Sequence, residues 1–212
     1  MMEAEWLAEG VLPQSGWTRV PSEGIGAPEE WFQSEIARIR SWWGEEAWGP
    51  GVEASVRDAL TDVVAKAVEP GTLSVMLHWP FDVPVPSRVR ILLAAGAPLD
   101  ASGWREAGFD VDEYPGAGLG PGLKCVALRE ETINGEHLQL FTAVYAFGDE
   151  SGSVLVIAEA GSQEVFQMTM ASLPVLLSSL QVTEPNGKQF AADPVPTVTR
   201  KPTDEWERIS NA

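Results

Sequence analysis

The 212 residues predict an α+β fold: two N-terminal helices, a largely antiparallel sheet of about five strands, a closing C-terminal helix and an extended tail. Three observations predict it. Apolar residues recur at helical spacing over residues 28–68. The period then changes to two over most of 73–160. It returns to helical spacing over 163–181, and pattern is lost after Thr183.

The first helix spans 28–43. Pro28 suits the first helical position, and Glu29 and Glu30 favour the positive end of the dipole. Trp31 or Phe32, Ile36, Ile39 and Trp42 or Trp43 make the apolar stripe, and Gly44 stops it. The second helix runs from about Val52 to Val68, with Val52, Val56, Ala59 or Leu60, Val63 or Val64, and Ala67 on one face, and Pro70-Gly71 ends it. Upstream, Trp6, Leu7, Val11 and Leu12 suit one amphipathic turn.

The strands follow. Leu73, Val75, Leu77 and Trp79 alternate with Ser74, Met76 and His78, which reads as a half-buried strand. Val89, Ile91, Leu93 and Ala95 make a second. The joint from Pro80 to Pro86 suits a bend or an edge. Residues 96–122 read as irregular, with one helical turn around Trp104. Leu123–Glu131, Glu136–Phe147 and Ser153–Ala160 form a meander, and Asn134-Gly135 supplies the first turn. The middle strand is apolar on both faces, which places it centrally and under cover on both sides. The helix over 163–181 contains Pro174, which predicts a kink or a broken first half. The organisation is thus an acidic Gly/Pro-rich segment (1–27), one domain (28–182) and a Pro-rich tail (183–212).

Helix, meander and closing helix, with Val144-Tyr145-Ala146-Phe147 on the central strand and Ser179-Leu180 at the end of the last helix, resemble the Mog1/PsbP-like α/β/α sandwich family. The likeness covers residues 71–182. It implies a binding role, as adaptor, assembly factor or effector chaperone. It carries no functional residue over.

Composition narrows the function. The formal net charge is −17, from 14 basic and 31 acidic residues spread along the chain. Phosphate-directed nucleic-acid binding needs a basic surface, and so does attraction to anionic membranes. Neither partner is expected. An acidic surface keeps a protein soluble and, more specifically, suits a basic protein partner. No apolar run approaches the roughly 20 residues that span a bilayer. Met1 to Gly10 holds three glutamates and no base, unlike a secretory signal, so a cytoplasmic protein is expected.

Motifs for chemistry are sparse. His78, His137 and Cys125 lie on separate predicted strands, without the close spacing of a zinc site. Asp110, Asp112 and Glu113 lack the rest of a calcium loop and read as the wet face of a strand or loop. The glycines from Gly116 to Gly122 precede a strand rather than a helix, so a flexible connector is expected, possible rim of a binding surface rather than phosphate cradle. Cys125 alternates with Leu123 and Ala127 and should point into a core. No cofactor, metal or catalytic residue is expected.

The tryptophans carry the candidate site. Six of nine fall at Trp6, Trp17, Trp31, Trp42, Trp43 and Trp48. Adjacent helical residues point about 100° apart, so Trp42 and Trp43 cannot both face one core. Exposed indoles favour interaction hot spots. The reading is a non-catalytic interaction module (adaptor, chaperone or immunity-type inhibitor) that contacts another protein through Trp42, Trp43, Trp48, Glu45 and Glu46. Two alternatives stand beside it. One is a small-molecule binder or enzyme, its pocket beside the Gly96–Gly122 loop and lined by Trp104, Tyr114 and Tyr145. The other is an assembly component that docks through Trp206 and Ile209 of the tail.

Overall fold

The computed structural model describes residues 5–13, 15–21, 28–67, 69–96, 100–116, 118–133, 136–150 and 152–195. Trp206 and Ile209 lie outside them, as does the Asn134-Gly135 turn. The elements in order are β1 (Leu7–Glu9), β2 (Trp17–Arg19), α1 (Glu29–Trp43), a 3-10 turn (Glu45–Ala47), α2 (Pro50–Ala67), β3 (Thr72–His78), β4 (Ser87–Ala94), α3 (Ala101–Glu106), β5 (Asp110–Tyr114), β6 (Gly122–Ile133), β7 (Glu136–Asp149), β8 (Gly152–Ala160), α4 (Gln163–Ser179) and β9 (Gln181–Thr183). The protein is α+β. Seven strands form an antiparallel sheet in the order β2-β3-β4-β8-β7-β6-β5, and β1 pairs with β9. No helix among the described residues is long and apolar enough to cross a membrane.

Helices cover both faces of the large sheet. On the first face Met76, Val89, Tyr145, Phe147, Val154 and Val156 meet Phe166, Leu173 and Leu176 of α4. On the second, Val75, Leu77 and Trp79 lie under Ile36 and Ile39 of α1 and Val56, Leu60 and Val63 of α2. Farther across that face, Cys125, Val144 and Ala146 meet Phe109, Val111 and Trp104. Between these clusters Glu159 binds both Arg88 (2.7 Å) and Arg90 (3.3 Å), and Glu69 binds Arg90 from its other side (3.2 Å). The two arginines are thereby neutralised where the sheet has no apolar cover.

Several expectations are corrected. The segment around Trp6 and Leu7 is a strand, because Leu7, Ala8 and Glu9 pair with Thr183, Val182 and Gln181. A tertiary partner outweighs the weak helical spacing. Pro28 is the N-cap rather than the first helical residue, with extended ψ of 149°, and its carbonyl accepts from Trp31 N at 2.8 Å. β3 is buried on both faces, not half-buried, because α4 covers Met76 and His78 while α1 and α2 cover Val75 and Leu77. Pro174 does not break α4. It lies on the exposed side of the helix, while Leu173, Leu176 and Leu177 anchor the helix around it.

Residues 96–122 bear out the helical turn expected around Trp104 but are otherwise more regular than expected. They hold α3 and the edge strand β5, whose Asp110, Asp112 and Glu113 are exposed as expected. Asp100 caps α3 by accepting from Gly103 N at 2.8 Å. The glycine run is a packed loop rather than a connector: Leu119 is buried, and its carbonyl accepts from Ala192 N at 2.8 Å. A methyl group on Gly118 would stand 2.0 Å from the Leu180 carbonyl oxygen. The start of the tail lies on the domain, with Phe190 buried and Asp193 N donating to Gly148 O at 2.8 Å.

Gly118→Ala is therefore expected to cost about 2–3 kcal/mol in chemical denaturation, the scale of overpacking a close contact. Gly161→Ala, at a glycine with open space around it, should stay within about 0.5 kcal/mol of the parent protein.

Candidate functional site

The C-terminal end of α1 builds one wall of a surface groove. Ile36 and Ile39 turn inward, so Trp43, four residues after Ile39, continues that stripe and meets the second-face core. It packs edge-on against Trp79 (5.8 Å between centroids) and at a tilt against Trp48 (5.6 Å). Trp42 points to the side, with the Arg38 guanidinium 4.6 Å over its ring. Both indoles are half-buried, as their 100° separation requires. Gly44, at φ 80°, ends the helix and donates to Arg40 O at 2.9 Å.

Arg38 ties this wall to the sheet edge. Its Nη1 donates to Trp17 O at 3.0 Å, and its charge is paired with Glu35. Trp79 Nε1 donates to Thr18 Oγ1 at 3.2 Å. α1, β2 and β3 are thus joined by side chains where the helical cover ends.

The groove encloses about 750 Å³ between this wall, the Pro80–Pro86 joint and α4. Trp42, Trp43, Trp17 and Trp79 line it with His78. Phe81, 38% exposed, and Met168, 46% exposed, form its apolar rim. Asp82 is the one charged side chain lining it among the described residues, and no lysine or arginine does.

His78 is held from behind. It is 6% exposed and stacks on Trp17 at 4.6 Å and 24°. Its Nδ1 lies 2.8 Å from Thr169 Oγ1, and Ser87 Oγ lies 2.6 Å from the same oxygen. Thr169 Oγ1 is also 2.8 Å from the Val165 carbonyl. A carbonyl only accepts, so the single Thr169 proton goes to Val165. Thr169 must then accept from Ser87 and from His78. This assignment alone satisfies all three contacts, and it makes His78 an Nδ1–H tautomer with its lone pair on Nε2. Burial pulls the imidazole down from its ordinary 6.5 to about 4, so it is neutral at pH 7. Ser87 and Thr169 are fully buried behind the ring, where they orient it and meet no solvent.

The expected contact residues divide between two surfaces. Trp42 and Trp43 line the groove, whereas Trp48 faces a separate hollow of about 580 Å³ with Arg40, Glu53 and Arg57. Trp48 Nε1 donates to Glu53 at 3.3 Å. Glu45 is bound to Arg40 through Nε at 2.9 Å, which holds its carboxyl below the ordinary range. Its charge closes the turn after α1. Glu46 is exposed.

Among the described residues, Trp104, Tyr114 and Tyr145 do not line one pocket beside residues 96–122. Tyr114 packs edge-on against Tyr145 (4.9 Å) on the first face of the sheet, while Trp104 packs against Phe109 (5.1 Å) on the second. A hollow of about 330 Å³ lies at Glu113, Tyr114, Gly122 and Val195. His78 and Cys125 likewise lie on opposite faces, and burial pushes the Cys125 thiol up to about 12. Among the described residues no three His, Cys, Asp or Glu side chains are grouped to hold a metal ion.

Sequence reading missed Trp17, His78, Phe81 and Met168 as groove residues. A signal for the floor existed: Thr169 is a polar residue on the apolar stripe of α4, and such a residue needs a buried partner. No protein-family model, curated protein or solved structure matches this chain.

Two outcomes follow from the geometry. Trp43→Ala should cost about 3 kcal/mol in denaturation, because it opens the contact with Trp79, and Trp42→Ala about 1 kcal/mol. The folded His78 binds its proton less readily than the unfolded chain does. Stability should therefore fall as pH drops from about 6.5 to 4, by up to about 3 kcal/mol. Denaturation of His78→Gln over the same range should lack that part of the slope.

Proposed function

We propose that this chain is a non-catalytic protein-interaction module whose contact surface is the groove between α1, the Pro80–Pro86 joint and α4. One observation carries the reading: an open groove whose walls are indoles and whose rim is exposed Phe81 and Met168. Val83 and Val85 extend the apolar rim along the joint, whose prolines stiffen it. Aromatic residues at a surface supply large contact area at small entropy cost. The resemblance to the Mog1/PsbP-like family leans the same way.

The partner is a protein with basic surface, met in the cytoplasm. The net charge of −17 supports this, since opposite charge steers association and rejects acidic partners. Adaptor, chaperone and immunity-type inhibitor are the roles such a module fills.

A photoreactive residue at position 81, in cells of the source organism, tests the reading. A discrete protein adduct should form at 81 and not at 128, another exposed apolar position on strand β6. In extracts its yield should fall as salt is raised. Equal labelling from both positions, or none from 81, would remove the proposal.

A further inference from the structure

We infer that the groove receives a cationic side chain, lysine or arginine, of the basic partner, held against the indole walls and the Asp82 carboxylate. This rests on the interaction reading above and names what the surface recognises.

Beside the indole N–H groups, which donate, the groove carries two acceptors, the Asp82 carboxylate and the His78 imidazole. Thr169 occupies the Nδ1–H of His78, which leaves a lone pair on Nε2. That edge lies beside Gly16, which also lines the groove. A methyl there would lie 3.6 Å from His78 Nε2 and 3.0 Å from the Trp79 carbonyl oxygen. Asp82 is exposed, and no hydrogen bond or ion pair engages it among the described residues. An ammonium or guanidinium offers only donors, so it matches the Asp82 carboxylate and the His78 lone pair. An aliphatic side chain would offer the imidazole and the Asp82 carboxylate no donor.

Charge favours the same occupant. Indole faces attract cations through their quadrupole. Among the described residues no lysine or arginine lines the groove, and Arg38, whose guanidinium lies over Trp42, is neutralised by Glu35. The stacking of Arg38 on Trp42 is itself an example, within this chain, of the contact that a partner's arginine would make. A protonated His78 would repel a cation. Its burial beside Trp17 keeps it neutral, so the floor stays an acceptor at physiological pH.

The test uses the full chain with methyl-labelled methionine, so that Met168 reports the groove by NMR. N-acetylargininamide and N-acetylcitrullinamide are the probes; they share a shape and differ in charge. The arginine probe should shift the Met168 methyl with an affinity at least about five-fold above the citrulline probe. Asp82→Asn, an exposed substitution that should leave the fold intact, should reduce that preference and leave citrulline unchanged. Equal affinities, or no shift from arginine up to its solubility limit, would overturn the inference. If the cross-link from position 81 persists in that case, the groove meets its partner through apolar contact and this inference alone fails. If the cross-link is absent as well, the interaction reading fails with it.

Discussion

The hydroxyl of Thr169 holds three partners at once: the Val165 carbonyl, Ser87 Oγ and His78 Nδ1. These come from α4, the start of β4 and the end of β3. One oxygen therefore pins the closing helix to the corner of the sheet where the first hairpin turns. A buried polar network is tolerated only when every member is satisfied, and here the geometry permits one proton arrangement. That arrangement orients the imidazole, and the imidazole supports Trp17 by stacking. The groove floor depends on this set of contacts.

The groove itself is a consequence of how the sheet is covered. β7 and β8 carry apolar side chains on both faces, so helices must lie on each. α4 covers one face. α1 and α2 cover only the β3 side of the other, and α3 covers the far side. Gly44 stops α1 at the sheet corner, before its last turn has buried Trp42 and Trp43 fully. Their exposed faces, the stiff Pro80–Pro86 joint and Met168 of α4 then enclose a space that no element of the described chain fills. Binding surface and fold thus share the same indoles: Trp43 closes the core against Trp79 while its edge remains at the surface.

Much of this was legible in the chain. The helical stripes of α1, α2 and α4 and the alternation of β4, β7 and β8 reflect local periodicity, which the sequence states directly. The burial of Cys125 followed from alternation too. What escaped were the three-residue strands β1, β2 and β9, because so short a segment carries no period and acquires its conformation from its partner. The glycine run escaped for a related reason. Its residues admit Leu180 and Gly120 at distances no side chain would permit, and sequence does not reveal which backbone will approach. That Trp42 and Trp43 could not both face one core was legible in their adjacency. Their separation from Trp48, and the use of Glu45 to pair Arg40, depend on the direction in which the turn after Gly44 leaves the helix. His78 was misjudged because alternation assigned it to a wet face, whereas α4 returns much later in the chain to cover it.

A neutral imidazole, held by Thr169 with its acceptor nitrogen beside Gly16, sets what the groove floor can bind. Only two histidines occur in the chain, so ring-nitrogen NMR can observe this one directly. The prediction is a protonated Nδ1, an unprotonated Nε2, and no titration of that ring until the pH nears 4. A ring protonated at Nε2 instead, or one that titrates near the ordinary 6.5, would contradict the hydrogen-bond assignment and the recognition argued from it.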